Sequence, residues 1–466
     1  MHTGFVGGIV TAAIAGSLAA TSASNAGLTE YFDIITLYAG EDGYGGGGTD
    51  VEYYGTSGDI GGWAIATTAC NLGNIVAPWD GGTNNVPVIA QNLYRYKSGR
   101  FEQIGQSWLK HSFCAVSEPG CGSCQSTGCS TLGIGCADTY WADLNADADA
   151  PRSEINATTG EYAYPFNLAP SGPSSIRGRL QVDPDDINPS LNAGAQYFIE
   201  GQYVEPGESV FDMQLNNASS RAVRFTSTTN CSGLGDTVPE LPAVMRWSSL
   251  DPNATVVEVF TEEIGQGGVG STTGLLHAGH AATDNGNGTW HYEYLVHNQN
   301  SHRSAGVFTI PVPDCVTLSN VEYRGPRYHS GETVSNDPWS WTHEGGLLTF
   351  STDAHTADND GIAPAIRWAT MANFRFDADA EPAAGDVEIG LWRSGPGASS
   401  IQVASVAPDC EQAECPEDLT GDGVVDVDDL LAGIAGFGTP DGDVNGDGIG
   451  DVDDLLALIA AFGSSC

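Results

Sequence analysis

WHYEYLV, residues 290–296, alternates aromatic or aliphatic side chains with polar ones. Successive side chains of a strand point to opposite faces. Trp290, Tyr292, Tyr294 and Val296 therefore share one face, expected on a core, while His291, Glu293 and Leu295 share the other. His291 and His297 are expected on the outer face or edge of this strand. Phe308, Ile310 and Val312 repeat the period, as do Val387, Ile389 and Leu391. Runs of this length, separated by turn-forming residues, predict an antiparallel β-sandwich over residues 254–408.

Upstream, residues 27–253 read as a Gly-rich β region, with strand-like runs over 86–96 and over 196–204, the latter ending at the Pro206-Gly207 turn. With 61 glycines in 466 residues and apolar runs set between Gly, Asn, Asp and Ser clusters, the body is mainly β. A leader is expected over residues 1–26, where an apolar run over 5–20 is followed by polar 21–25 and small Ala26. No later segment reaches the roughly 20 apolar residues that span a bilayer, so a secreted, extracellular or cell-surface protein is expected. Eleven cysteines in an oxidising compartment imply disulfides with one thiol left over. Cys114, Cys121, Cys124, Cys129 and Cys136 mark a turn-rich insertion, which export and its Gly/Ser context favour as a disulfide-stapled loop over a zinc knot.

The formal charge is −43, from 59 acidic and 16 basic residues. Such a chain lacks the cationic face that nucleic acid needs, and anionic membranes disfavour it for the same reason. From Asp409 onward there are 15 acidic residues and no Lys or Arg. Composition shifts there, and a separate module over 409–466 is expected.

Two segments of that module repeat at an offset of 25: DLTGDGVVDVDD at 418–429 and DVNGDGIGDVDD at 443–454. Calcium takes about six to eight oxygen ligands, and a 12-residue loop supplies them from positions 1, 3, 5, 7, 9 and 12. The first loop offers Asp418, Thr420, Asp422, the Val424 carbonyl, Asp426 (through water) and Asp429. The second offers Asp443, Asn445, Asp447, the Ile449 carbonyl, Asp451 and Asp454. Gly423 and Gly448 hold position 6, where the chain turns sharply. Two Ca²⁺ ions are expected. A short helix should follow each loop, with Leu430, Leu431, Ile434 and Phe437 in one and Leu455, Leu456, Ile459 and Phe462 in the other packing face to face.

Twin loops with Asp at position 12, and a helix only after each loop, closely resemble type I dockerins over about residues 415–466. The resemblance implies a docking module whose partner is a cohesin-like or other surface protein. Positions 10 and 11, often a Ser-Thr-like pair in that family, are Val427-Asp428 and Val452-Asp453 here. Identical pairs in both repeats imply two equivalent docking orientations. Cys415 and Cys466 bracket the module and are expected to clasp its ends. Dockerins usually tail polysaccharide-degrading enzymes, so polysaccharide is a second candidate partner. The body itself is loosely similar to secreted dockerin-tailed bacterial proteins, a resemblance that assigns no activity.

Catalytic constellations are harder to find. Ser107 to Lys110 matches S-x-x-K without a companion K-T-G, and His343-Glu344 begins H-E-x-x-H but closes on Leu347. His277 and His280 are expected as exposed loop histidines. Trp339, Trp341, Trp368, Tyr323 and Tyr328 offer either a sugar platform or, more commonly for such residues, core packing. Residues 92–111 gather basic and aromatic residues into a candidate cationic patch. A secreted calcium-binding protein that displays a β-rich body through a docking tail is expected; the alternative is a dockerin-bearing glycoside hydrolase or lyase.

Overall fold

The computed structural model describes residues 29–43, 48–327, 331–410 and 415–464. The leader, Tyr328 and Cys466 lie outside them. The chain is mainly β, as its alternation requires.

Before residue 254, one antiparallel sheet runs in the order Ile34–Ala39, Thr67–Asn71, Cys136–Tyr140, Glu118–Pro119. A larger sheet runs Asn230–Gly233, Ala218–Ser227, Gln196–Val204, Val88–Lys97, Arg100–Gln106, Leu180–Val182, Ile60–Ile65, Val51–Ser57, with Lys110–His111 beside Val88–Lys97. The hairpin between Val88–Lys97 and Arg100–Gln106 turns on Ser98 and Gly99, both at positive φ. Two such residues give the turn whose twist matches that of the paired strands. Cys70–Cys121 staples the turn-rich segment onto the strand Thr67–Asn71, while Cys114–Cys129 and Cys124–Cys136 cross-link the segment itself, as expected for a disulfide-stapled loop. Cys315–Cys410 closes the sandwich region, and Cys231 is a free thiol.

The expected sandwich follows. One sheet is ordered Thr255–Ile264, Ser271–Asp284, Trp290–Asn298, Thr370–Ala378, Leu318–Arg324; the other Ser340–Glu344, Leu347–Ser351, Ala305–Pro311, Glu381–Leu391, Ser400–Asp409. Tyr292, Tyr294 and Val296 meet Phe308, Ile310, Phe374, Phe376, Val387 and Ile389 in the core between them.

The second face of Trp290–Asn298 departs from expectation. Leu295 enters another core with Tyr94, Phe101, Phe198, Trp247 and Met371, so this sheet is covered on both sides. The cover is the large sheet, whose opposite face sends Leu93, Tyr197 and Ile199 into a third core with Trp63, Ile104 and Phe225. His291 and His297 are therefore not edge residues: His297 is fully buried and His291 pairs with Asp377 at 2.7 Å. His277 lies on the strand Ser271–Asp284, not on a loop, buried at 3.2 Å from the His297 ring; His280 has the opposite strand parity.

Polar side chains at this interface are paired, since an unpaired buried charge costs several kcal/mol. Glu102 accepts from Arg95 at 2.8 Å and from Arg375 at 2.9 Å, and Arg375 reaches Glu293 at 2.9 Å. The basic residues of 92–111 accordingly do not gather into one surface patch: Arg95 and Lys110 are buried, Lys97 is half-buried and only Arg100 is substantially exposed at its side chain. Trp339 and Trp368 are buried, and Tyr323 stacks on Trp339, so only Trp341 of the suggested platform is exposed among the described residues.

Candidate metal centre

Two helices, Val427–Ala435 and Val452–Ala461, each follow one acidic repeat. In the first repeat Gly421 and Gly423 adopt φ of 71° and 87°, a conformation that a residue with a Cβ resists. The curl aims the N–H groups of Gly421 and Asp422 at Asp418 Oδ1, at 2.8 and 3.2 Å, and that of Gly423 at Oδ2, at 2.8 Å. Around Asp443 the second repeat reproduces these contacts from Gly446, Asp447 and Gly448 at 2.8, 3.1 and 2.7 Å.

Each helix starts in a capping box. Asp426 accepts the Asp428 N–H, while Asp429 accepts the Asp426 N–H at 2.8 Å; Asp451 and Asp454 repeat the exchange. Asp429 and Asp454 are fully buried, and the backbone N–H groups of Asp426 and Asp451 hold their carboxyls below the usual carboxylate range. The result is two triads, Asp418/Asp422/Asp429 and Asp443/Asp447/Asp454, each with carboxylate oxygens within 4.8 Å of one another. Among the described residues no other group of three His, Cys, Asp or Glu comes that close.

Three carboxylates at this spacing repel one another. No Lys or Arg occurs from residue 409 onward, so besides these backbone N–H groups the tail has no cationic side chain to offset that repulsion, and a bound cation would. An all-oxygen donor set without His or thiolate fits a hard divalent ion such as calcium and not zinc. The other expected ligands surround the triads in distinct roles. Thr420 Oγ1 lies 3.5 Å from Asp418 Oδ1, and Asn445 Oδ1 accepts the Asp447 N–H at 2.9 Å. Val424 and Ile449 each donate an N–H at 3.1 Å to the loop aspartate two residues back. Asp426 and Asp451 serve as helix caps, outside the triads.

The module is nearly two-fold symmetric. Val425 exchanges backbone hydrogen bonds with Gly463 and Ser464, and its counterpart Gly450 does so with Gly438 and Thr439. Val425, Val444 and Leu458 form its core, with Leu419, Leu430 and Leu455 packed around them, and Leu458 lies against Gly433. The helices do not bury all the expected residues. Leu430 and Leu455 turn inward, whereas Val427, Leu431, Ile434 and Phe437, and their counterparts Val452, Leu456, Ile459 and Phe462, are 51–60% exposed. The i, i+4, i+7 spacing of 427, 431 and 434 was the available signal for this second stripe.

On the body, two adjoining grooves of about 420 and 480 Å³ share Asp379 and Glu381; the first is also lined by Asp284 and Trp290. Within the described residues no helix is long and apolar enough to cross a membrane. Comparison with protein-family models finds no match, and no curated protein matches the chain.

Proposed function

We propose that this is a secreted protein whose C-terminal repeats bind two calcium ions and dock the β-rich body, in the manner of a type I dockerin, onto a surface protein. The carrying observation is the pair of acidic triads, each continued by a helix with an exposed apolar stripe. Eight large apolar side chains in water are costly on a module this small, and contiguous exposed patches mark interaction sites. Because the stripe is duplicated at the same 25-residue offset as the triads, either repeat offers a partner the same surface. The fitting partner is an apolar pocket with a basic rim, since the tail carries no cation of its own.

Capture of the partner from the producing cell's envelope, with the full chain as bait, is expected in calcium and not in chelator. Leu431→Ser or Leu456→Ser alone should leave capture largely intact, and the double substitution should abolish it. Capture unaffected by both chelator and the double substitution would remove the docking role.

A second reading, a polysaccharide-degrading enzyme, draws on the groove where Trp290 stands among Asp284, Asp379 and Glu381. Sugar faces pack on aromatic rings, and glycoside cleavage uses two carboxylates. Sustained reducing-sugar release, lost in Asp379→Asn or Glu381→Gln, would favour it.

A further inference from the structure

Cationic side chains are scarce on this chain, 16 against 59 acidic ones, and at the surface of the body Arg100, Arg324 and Arg327 each face a carboxylate. Arg224, Arg246 and Lys97 do not: none of them makes an ion pair among the described residues. All three stand around one groove. Arg224 is exposed and lines this groove, of about 270 Å³, with Pro189, Ala195, Tyr197, Phe225 and Leu234. Half-buried Arg246 lies 5.2 Å over the ring of Phe198, another lining residue, and donates to Ser220 Oγ and O at 2.8 Å each. Lys97 donates to Leu191 O at 2.9 Å and to Oδ1 of Asn192, also in the lining, at 3.0 Å.

No carboxylate lines this groove, whereas Asp284, Asp379 and Glu381 line the two larger ones. An apolar trough with cations at its margin, on a chain of net charge −43, suits an anionic and amphipathic guest. The chain carries such a guest itself. The stripe from Val427 to Phe437 and its counterpart from Val452 to Phe462 are exposed. Asp428 and Asp453 are exposed beside them, each three residues before the leucine at the middle of its stripe and so next to it on the helix surface. The tail has no Lys or Arg to repel Arg224.

We propose that the groove receives the helix stripe of a second copy of this chain, with Arg224 meeting the aspartate beside the stripe. The inference rests on the docking reading of the tail and names a partner for it. Tail-on-tail pairing would instead set like charges against each other, which interfaces avoid. Groove and stripe are different surfaces of one molecule, so the contact is head-to-tail: each bound copy leaves a groove or a stripe open to the next, and association is open-ended. A copy held at a cell surface would thereby carry others.

The test is sedimentation velocity of the full chain in calcium over a range of protein concentrations. Reversible, concentration-dependent association is expected, lost in chelator and weakened roughly tenfold or more by Arg224→Glu, which sets like charges together. Leu431→Ser combined with Leu456→Ser should abolish it. Mixing decides the geometry. The Arg224→Glu chain keeps its stripes and the doubly substituted chain keeps its groove, so together they should form a complex that neither forms alone. Should Arg224→Glu not fold, Leu234→Ser, at an exposed position of the groove, takes its place. A parent that stays monomeric at every concentration, as it would with the stripe folded onto its own groove, overturns the proposal. So does association that survives the groove variant, or a pair of variants that stay apart when mixed. Envelope capture separates the two readings: capture by a parent that does not self-associate leaves the docking tail standing and removes only the second copy as its partner.

Discussion

Glu102 is a carboxylate inside the protein that three arginines keep charged. Burial alone would raise its carboxyl, but Arg324, Arg375 and Arg95 hold it at about 2. The unfolded chain titrates near its ordinary 4.5, so the folded state gains stability from this group above that pH and loses it as pH falls through about 2. Glu102→Gln, which leaves the arginines without their shared acceptor, is expected to cost about 3–5 kcal/mol at pH 7 in urea denaturation. The gap from the parent should narrow between about pH 4.5 and 2, where Glu102 protonates in the unfolded parent but not yet in the folded one. Asp429 and Asp454 act differently, each closing a triad and a capping box at once. Asp429→Asn is expected to lower calcium stoichiometry by calorimetry from two to one, and Asp454→Asn should do the same for the other loop.

At the scale of elements, the two C-terminal helices depend on the loops that precede them. Val427–Ala435 and Val452–Ala461 have 9 and 10 residues, below the length at which helices persist alone, and share a core of three fully buried side chains. Without cations the triads repel, and metal binding becomes folding energy. Chelator is therefore expected to erase the helical far-ultraviolet circular dichroism while the β signal of the body persists. Unchanged helicity in chelator would show that the caps and core suffice without metal. The strand Trp290–Asn298 illustrates a different dependence: each of its faces is covered by another sheet, and only one strand of that cover, Ala305–Pro311, is close in sequence.

At the scale of the whole molecule, residues on both sides of position 254 share one buried core and the Glu102–Arg375–Glu293 pairs. Separating the two regions would bare Leu295, Met371 and two buried carboxylates. Scanning calorimetry of the full chain should accordingly give one transition for residues 29–410 and a separate, calcium-dependent one for the tail. Two body transitions would mean that the shared interface does not couple the regions.

The two acidic triads, Asp418/Asp422/Asp429 and Asp443/Asp447/Asp454, were legible because a 12-residue loop is local: spacing alone decides which of its carboxylates meet, and glycine marks the turn. Strand parity was equally legible, since a strand's two faces follow from its geometry, and WHYEYLV named the residues of its core face correctly. What the string could not disclose was what covers each face. His291, Glu293 and His297 look like solvent-facing polar residues, yet partners take the place of water: Tyr94, from a strand some two hundred positions earlier, for His297, and Arg375, on the adjacent strand, for Glu293. The stripe from Val427 to Phe437 is the converse case. Apolar spacing fitted a buried face, but the short helices left that face in water, because the module's small core is completed by Leu430, Leu455 and Leu458. Burial depends on the sum of all neighbours, and only the tertiary structure supplies that sum.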